Sequence, residues 1–335
     1  MVVFIKRVIK GTLVVEAAGA CLYMIAFIPQ FGVAHGIWYS VFNAISAFCN
    51  AGIDIIGPDS LMTYAGSPLV LLTSAFLIIF GGLGFVVWWD IVDVLGRVHR
   101  REITRRDIWR RLKTHTKIIL VMTGSLIVLG MVLTLLFEYN NPLTIGGMST
   151  GDKVLNAFFQ SVTLRTAGFT SFSQKGLTES SVLVSCLIML IGGSPVGTAG
   201  GIKTMTVAVL VFAVLSVIQG RNETVAFRKT ISASLVRRAM AVTVIGVGML
   251  LFCTVLLLVT NHLSLSDGLY EVTSAIATVG LSRDVTPTLN VCGKLLIILC
   301  MYLGRVGPIT MFMFFGQRAA NRNNVKYADA EIIVG

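Results

Sequence analysis

The chain has 335 residues, of which 55% are hydrophobic and only 13% charged, and its mean hydropathy is +0.84. That balance excludes an ordinary soluble domain and describes an all-α polytopic protein of the cell membrane. The formal charge of +11 would suit a nucleic-acid binder, but the basic residues gather at alternate ends of apolar runs, a topology signal in lipid, so no nucleic acid is expected as partner.

Taken in chain order, windows of roughly 20 apolar residues predict six spans, at 11–28, 68–95, 118–137, 180–219, 239–260 and 292–316. Three shorter apolar stretches between them, at 37–49, 154–164 and 268–277, cannot cross a bilayer and read as re-entrant half-helices. The first span carries Glu16, which is either hydrated near the cytoplasmic boundary or paired with another segment. The second contains GGLGF, whose Gly81, Gly82 and Gly84 read as small packing residues along one helix. The fourth is interrupted at 192–204 by GGSPVGTAGGIKT, five of whose thirteen residues are glycine, one proline and one lysine. Such a stretch cannot stay helical cheaply, and at membrane depth its freed backbone needs protein or a water-filled cavity around it. Lys203, costing about 2.5–3.5 kcal/mol if left facing lipid, is expected in that cavity. A nucleotide P-loop reading fails because Ile202 stands where GxxxxGK[ST] needs glycine. The sixth span holds a second buried cation, Arg305, followed by Gly307 and Pro308, which permit a kink.

Twenty of the 27 Lys and Arg residues lie in four regions: Lys6 to Lys10, the 97–117 connection, 221–238, and the tail with Arg318, Arg322 and Lys326. No Lys or Arg occurs between 11 and 96, so these regions are predicted to be cytoplasmic, with both termini inside. On the outer side fall eight acids (Asp54, Asp59, Glu138, Asp152, Glu179, Asp267, Glu271 and Asp284) against five bases (Lys153, Arg165, Lys175, Arg283 and Lys294). The excess either raises the local cation concentration modestly or is ordinary hydrated loop charge. The six cysteines and four histidines show no metal-ligand spacing, and no paired intramembrane carboxylates, HExxH or Ser/His arrangement supports an enzyme.

An internal repeat organises the chain. FNAISAFCNAGI (42–53), FFQSVTLRTAGF (158–169) and YEVTSAIATVGL (270–281) each place an aromatic ten residues before a glycine. Each then reads small polar, small apolar, glycine: Asn50-Ala51-Gly52, Thr166-Ala167-Gly168 and Thr278-Val279-Gly280. The repeating unit is span, re-entrant pore half-helix, extended glycine-centred segment, span, giving units at 1–100, 101–222 and 223–320 with a cytoplasmic tail at 321–335. Several such segments around one pseudo-symmetric axis can exchange the water shell of an ion for backbone carbonyls.

With these segments the chain resembles the Trk/Ktr/HKT superfamily of cation transporters, and FNAISAFCNAG, QSVTLRTAGFTS, SPVGTAGGIKT and KYADAEIIVG resemble its bacterial KtrB branch. The resemblance implies K+ uptake through a selectivity filter whose backbone carbonyls at the three triplets bind K+, with Na+ open as a coupling or activating ion. It implies an intramembrane gate built from Gly192, Gly193, Ser194, Pro195, Gly197, Thr198, Ala199, Gly200, Gly201 and Lys203, with Arg305 holding the loop and repelling cations. A homodimer on a cytoplasmic ring of nucleotide-binding RCK subunits (KtrA-like) is implied as the assembly. Because the family carries four units, the resemblance also implies that the first is missing here, the chain being either a truncated, non-conducting fragment or a shortened subunit; three filter segments around one axis leave an unpaired flank, so the chain alone is expected to conduct poorly or be unstable. A secondary cation-coupled transporter, which also breaks helices at midplane, is the alternative; its inverted repeats would alternate in orientation, whereas these three run the same way.

Overall fold

The computed structural model describes residues 2–57 and 59–307. The end of the sixth expected span, with Pro308, and the tail with Arg318, Arg322 and Lys326 lie outside the described residues. The fold is mostly helical, and three of its shorter helices each end in one of the glycine-centred triplets; the elements follow in three successive groups.

In the first, α1 (Val2–Phe31) turns at Gly32 directly into the half-helix α2 (Val33–Phe48), and the chain returns through α3 (Pro68–Leu83) and α4 (Phe85–His99). Here the sequence expectation is corrected. The stretch 68–95 is not one continuous helix, because α3 and α4 meet at 96°. Gly84 adopts φ 86° at the corner, and a Cβ there would fall 2.6 Å from the Pro195 carbonyl oxygen, so another part of the chain occupies the space a continuing helix would need.

The second unit follows the short α5 (Ile108–Arg111) with α6 (Thr114–Glu138), half-helix α7 (Thr150–Thr163), α8 (Glu179–Leu190) and α9 (Thr204–Ile218). Buried Asp90 of α4 fixes the start of α6, accepting from the Lys113 N–H at 3.0 Å and the Thr116 hydroxyl at 2.6 Å, where the positive end of the helix dipole favours a carboxylate. A β-hairpin absent from the sequence reading, β1 (Thr224–Ala226) paired antiparallel with β2 (Lys229–Ile231), turns through Phe227 and Arg228 at positive φ and leads to the third unit. That unit is α10 (Ala233–Thr260), half-helix α11 (Leu265–Ala277) and α12 (Val291–Val306).

Two of the half-helices, α7 and α11, begin at a serine cap. Ser149 and Ser264 accept the N–H of Asp152 and Asp267 at 3.2 and 3.1 Å, and each aspartate accepts the serine hydroxyl at 2.7 Å, an acidic version of the capping box. Among the described residues α1, α6 and α10 are long and apolar enough to cross a bilayer, and they expose large side chains such as Val128, Leu136, Val244 and Leu251 to the outside. In water such a rim would be a liability; in lipid it costs nothing. The units associate in sequence: α3 packs on the half-helix α7, and α8 packs on the half-helix α11. Each returning span thus supports the next unit's half-helix.

Candidate functional site

The three half-helices point their C-terminal ends at one another, and the glycine-centred triplets that follow meet there. A Cβ built on Gly52 would lie 2.5 Å from the Ala167 carbonyl oxygen, and one on Gly168 would lie 2.5 Å from the Val279 oxygen and 3.1 Å from Gly52 Cα. No side chain fits at Gly52 or Gly168, so glycine is required there by packing as well as by conformation.

The backbone of all three triplets follows one pattern. Asn50, Thr166 and Thr278 have φ of 51°, 70° and 53°, and Gly52, Gly168 and Gly280 have φ of 66°, 87° and 92°, while the residue between them does not leave the usual negative region. Left-handed conformations cost a non-glycine residue about 1–2 kcal/mol, and three aligned instances signal an imposed geometry. Its cause is visible in the hydrogen bonds. The N–H groups of Ala51, Ala167 and Val279 turn back onto the half-helices, donating to Ser46 O at 2.9 Å, Thr163 O at 3.0 Å and Ser274 O at 2.8 Å. Donors are thereby consumed behind the triplets, and carbonyl oxygens with the negative ends of three helix dipoles are left to the junction, a combination that attracts a cation.

The broken span lies against this junction. Residues 191–203 leave α8 and return to α9 as a pouch closed at its neck by Gly192 N–H to Ile202 O at 3.0 Å, Ile202 N–H to Leu190 O at 3.1 Å and Thr204 N–H to Gly193 O at 3.1 Å. Its tip touches all three units. Thr198 donates its hydroxyl to Phe48 O at 3.1 Å, the Gly200 N–H donates to Thr166 Oγ1 at 3.1 Å, and a Cβ on Gly200 would sit 2.7 Å from the Ala277 oxygen. Gly192, Gly193 and Ser194 are buried at the neck.

Sequence reasoning missed the partner of this pouch. The Ser194 and Thr198 N–H groups donate to Gly82 O at 3.0 Å and Gly81 O at 3.2 Å, and the Phe85 N–H donates to Val196 O at 3.2 Å. Gly81, Gly82 and Gly84 are therefore not packing residues along an unbroken helix. The two breaks satisfy each other's freed backbone groups, as membrane depth demands. GGLGF carried the same signal as GGSPVGTAGGIKT, a glycine cluster in mid-span, over fewer residues.

The two expected cations line a cavity of about 420 Å³ on the far side of the pouch from the triplets. Lys203 donates from Nζ to Ala199 O at 2.7 Å, and Arg305 donates from Nη1 to Thr198 O at 3.2 Å. Arg305 stands exposed on the cavity wall, contrary to the expectation that its span buries it. Glu16 is half-buried and makes no ion pair among the described residues.

The outer charges also need correction. Arg165 is not a hydrated loop charge. It lies buried next to the Thr166 triplet, donating to the Thr123 hydroxyl at 3.3 Å, and its own carbonyl accepts from Asn50 Nδ2 at 3.4 Å. Glu138, Lys153, Glu271 and Arg283 are buried too. Glu138 takes donors from Thr144, Asn141 and both the N–H and hydroxyl of Thr178; Glu271 takes Ser282, the Arg283 N–H and Thr286. These are structural carboxylates with their lone pairs occupied, not a free field for attracting cations.

The family profile of TrkH, described as a cation transport protein, matches residues 2–327 of this sequence. The chain belongs to the TrkH family. It is 35% identical over 331 residues to the Ktr system potassium uptake protein B of Bacillus subtilis (strain 168), covering 99% of this chain and 71% of that protein. Its identity to the Ktr system potassium uptake protein B of Vibrio alginolyticus is 36%, over 99% of this chain and 70% of that one. Identity is also 36% to the potassium/sodium uptake protein NtpJ of Enterococcus hirae, over 98% and 71%. The crystal structure of the potassium transporter TrkH from Vibrio parahaemolyticus superposes with a TM-score of 0.71 at 16% identity, covering 92% of this chain and 63% of that one. As a TrkH-family member the protein is a membrane-embedded cation transporter and not an enzyme.

Proposed function

We propose that this protein is the ion-translocating subunit of a K+ uptake system of the Ktr/Trk type. The observation that carries the reading is the junction of three glycine-centred triplets with one backbone pattern, capped on one side by a non-helical pouch that touches all three. Asn50-Ala51-Gly52, Thr166-Ala167-Gly168 and Thr278-Val279-Gly280 form the selectivity filter, and a K+ ion exchanges its hydration shell for their carbonyl oxygens. The transported ion, not a resident cofactor, is the species these oxygens receive.

Residues 192–204 are the gate. A pouch held by a handful of single hydrogen bonds can move aside without unfolding either flanking helix, and Lys203 and Arg305 place two positive charges where a cation leaves the filter. Flow is down the electrochemical gradient, with the basic regions and both termini in the cytoplasm. The side of the junction between α12 and α2 holds a cavity of about 350 Å³ lined by Ala51, Val279, Gly280 and Met301, and a further unit of the same kind closes the ring there. Relatives named for a Ktr system support work alongside other subunits, read here as a homodimer on a cytoplasmic nucleotide-binding regulatory ring, and the potassium/sodium relative supports a role for Na+.

The test is expression of the complete reading frame in cells stripped of their own K+ uptake, followed by K+ and Na+ flux in liposomes. Growth rescue at low K+, with flux favouring K+, is the expected result. Flux that requires a co-substrate gradient instead would favour a secondary transporter.

A further inference from the structure

Behind the second and third triplets, away from the junction, a chain of three buried polar side chains runs from one half-helix to the next. Gln160 of α7 and Gln174 of the returning segment exchange amide hydrogen bonds at 2.8 and 3.3 Å, and the Tyr270 hydroxyl of α11 donates to Gln174 Oε1 at 2.9 Å. Gln174 also donates to Phe172 O at 3.0 Å, which holds its own segment. All three side chains are at most 3% exposed, in surroundings formed by Leu164, Leu177 and Val279.

Three amide and hydroxyl groups are costly to bury, and apolar side chains would fill the same space without that cost. What the polar set adds is a fixed distance. Tyr270 stands ten residues before Gly280 on a rigid helix, and Gln174 stands six residues after Gly168, so the Tyr270 to Gln174 bond ties the third triplet's support to the second triplet's exit. Between the first and second units the ties are Asn156 Nδ2 to Ala65 O at 2.8 Å, Leu61 N–H to Thr170 O at 3.0 Å and Thr170 N–H to Ser60 Oγ at 3.3 Å, each with a main-chain group at one end. Between the second and third units Arg283 Nη2 donates to Lys175 O at 3.3 Å, and beside it the Tyr270 to Gln174 bond joins two side chains, so one atom can be removed from it.

We propose that Gln174 and Tyr270 are positioning residues for ion selectivity, holding the second and third triplets at the separation that suits K+. This rests on the filter reading above. Neither residue touches the ion. They act on how far the carbonyl oxygens can close on a smaller ion, and Na+ is the ion that gains when that restraint loosens.

The variants are Tyr270→Phe, which removes one oxygen, Gln174→Met, which keeps the side-chain length, and the pair combined. K+ and Na+ flux are measured in liposomes with protein from the complete reading frame, alongside the melting temperature in detergent. Each single variant is expected to lower the K+/Na+ flux ratio about three- to tenfold, the scale of one neutral hydrogen bond, and the double variant is expected to fall no further than the weaker-selecting single one. Lower melting temperatures with a wild-type ratio make the network merely structural and overturn the inference, as do losses that multiply in the double variant. Gly280→Ser, measured in parallel, separates the two readings: an unchanged ratio there removes the filter assignment itself, whereas a lowered ratio there with both network variants normal removes only this proposal. If Gln174→Met is not recovered from membranes, Tyr270→Phe carries the test alone.

Discussion

Thr198→Val probes the gate where its contact can be isolated. Valine keeps the branched shape of threonine and the main-chain oxygen that accepts from Arg305, and it deletes only the hydroxyl that donates to Phe48 O at 3.1 Å and lies 3.3 Å from Asn50 Oδ1. Phe48 O is among the last carbonyls of α2, so its orphaned lone pair has no helical donor to fall back on. Removing one partner of such a bond costs about 1–3 kcal/mol. Taking the lower half of that range for a neutral hydroxyl to carbonyl bond, the seated pouch loses about 1–2 kcal/mol relative to the displaced one, a shift of roughly 5- to 30-fold in their ratio. Where the displaced state is the minor one, K+ influx rises by the same factor. The assay is initial K+ influx into liposomes at matched protein, with the K+/Na+ ratio as internal control, because no filter atom has changed. Influx at the wild-type rate in folded protein would refute the reasoning, since a gate held by this bond must respond to its loss. So would a rise accompanied by lost selectivity, which would place the hydroxyl's role in the filter.

Serine at the filter glycines should lower K+/Na+ selectivity in a fixed order. Gly52→Ser and Gly168→Ser force a Cβ to 2.5 Å from a carbonyl oxygen and should lower the flux ratio more than Gly280→Ser, whose nearest neighbour is 3.6 Å away, and an inverted order would separate selectivity from the packing seen here. Deleting residues 193–201 should raise cation flux in protein that remains assembled, whereas abolished flux from folded protein would make the loop part of the path rather than an obstruction. Glu138→Gln turns an amide toward the donors of Thr178 and Thr144, and should destabilise the outer end of α6 by about 1.5–3 kcal/mol, read as a lower melting temperature with unchanged ion ratio.

The sequence by itself determined the helical membrane class and the places where short helices end in glycine-centred triplets, because these depend on local quantities. Run length decides whether a segment can span, and glycine at a fixed offset marks where the backbone must leave the helical region. The break at 192–204 was legible for the same reason: five glycines and a proline cannot hide in a helix. What surrounds a break was not legible. Gly84 ends α3 because the Pro195 carbonyl takes the space beside it, and Pro195 is 111 residues away, so nothing near GGLGF announces a 96° corner rather than a packed helix. Charges were misread by the same limit. A carboxylate or guanidinium in a loop looks hydrated until its partners are known, and the four donors around Glu138 come from three residues brought together by the fold. Tyr270 is the aromatic of the third repeat and Gln160 lies within the second, but nothing in either segment marks Gln174 as the partner of both, and only the packing of α8 against α11 makes them one network. Conformation is fixed residue by residue and can be read that way, whereas the fate of a buried polar group depends on which distant atom reaches it, and that is decided in three dimensions.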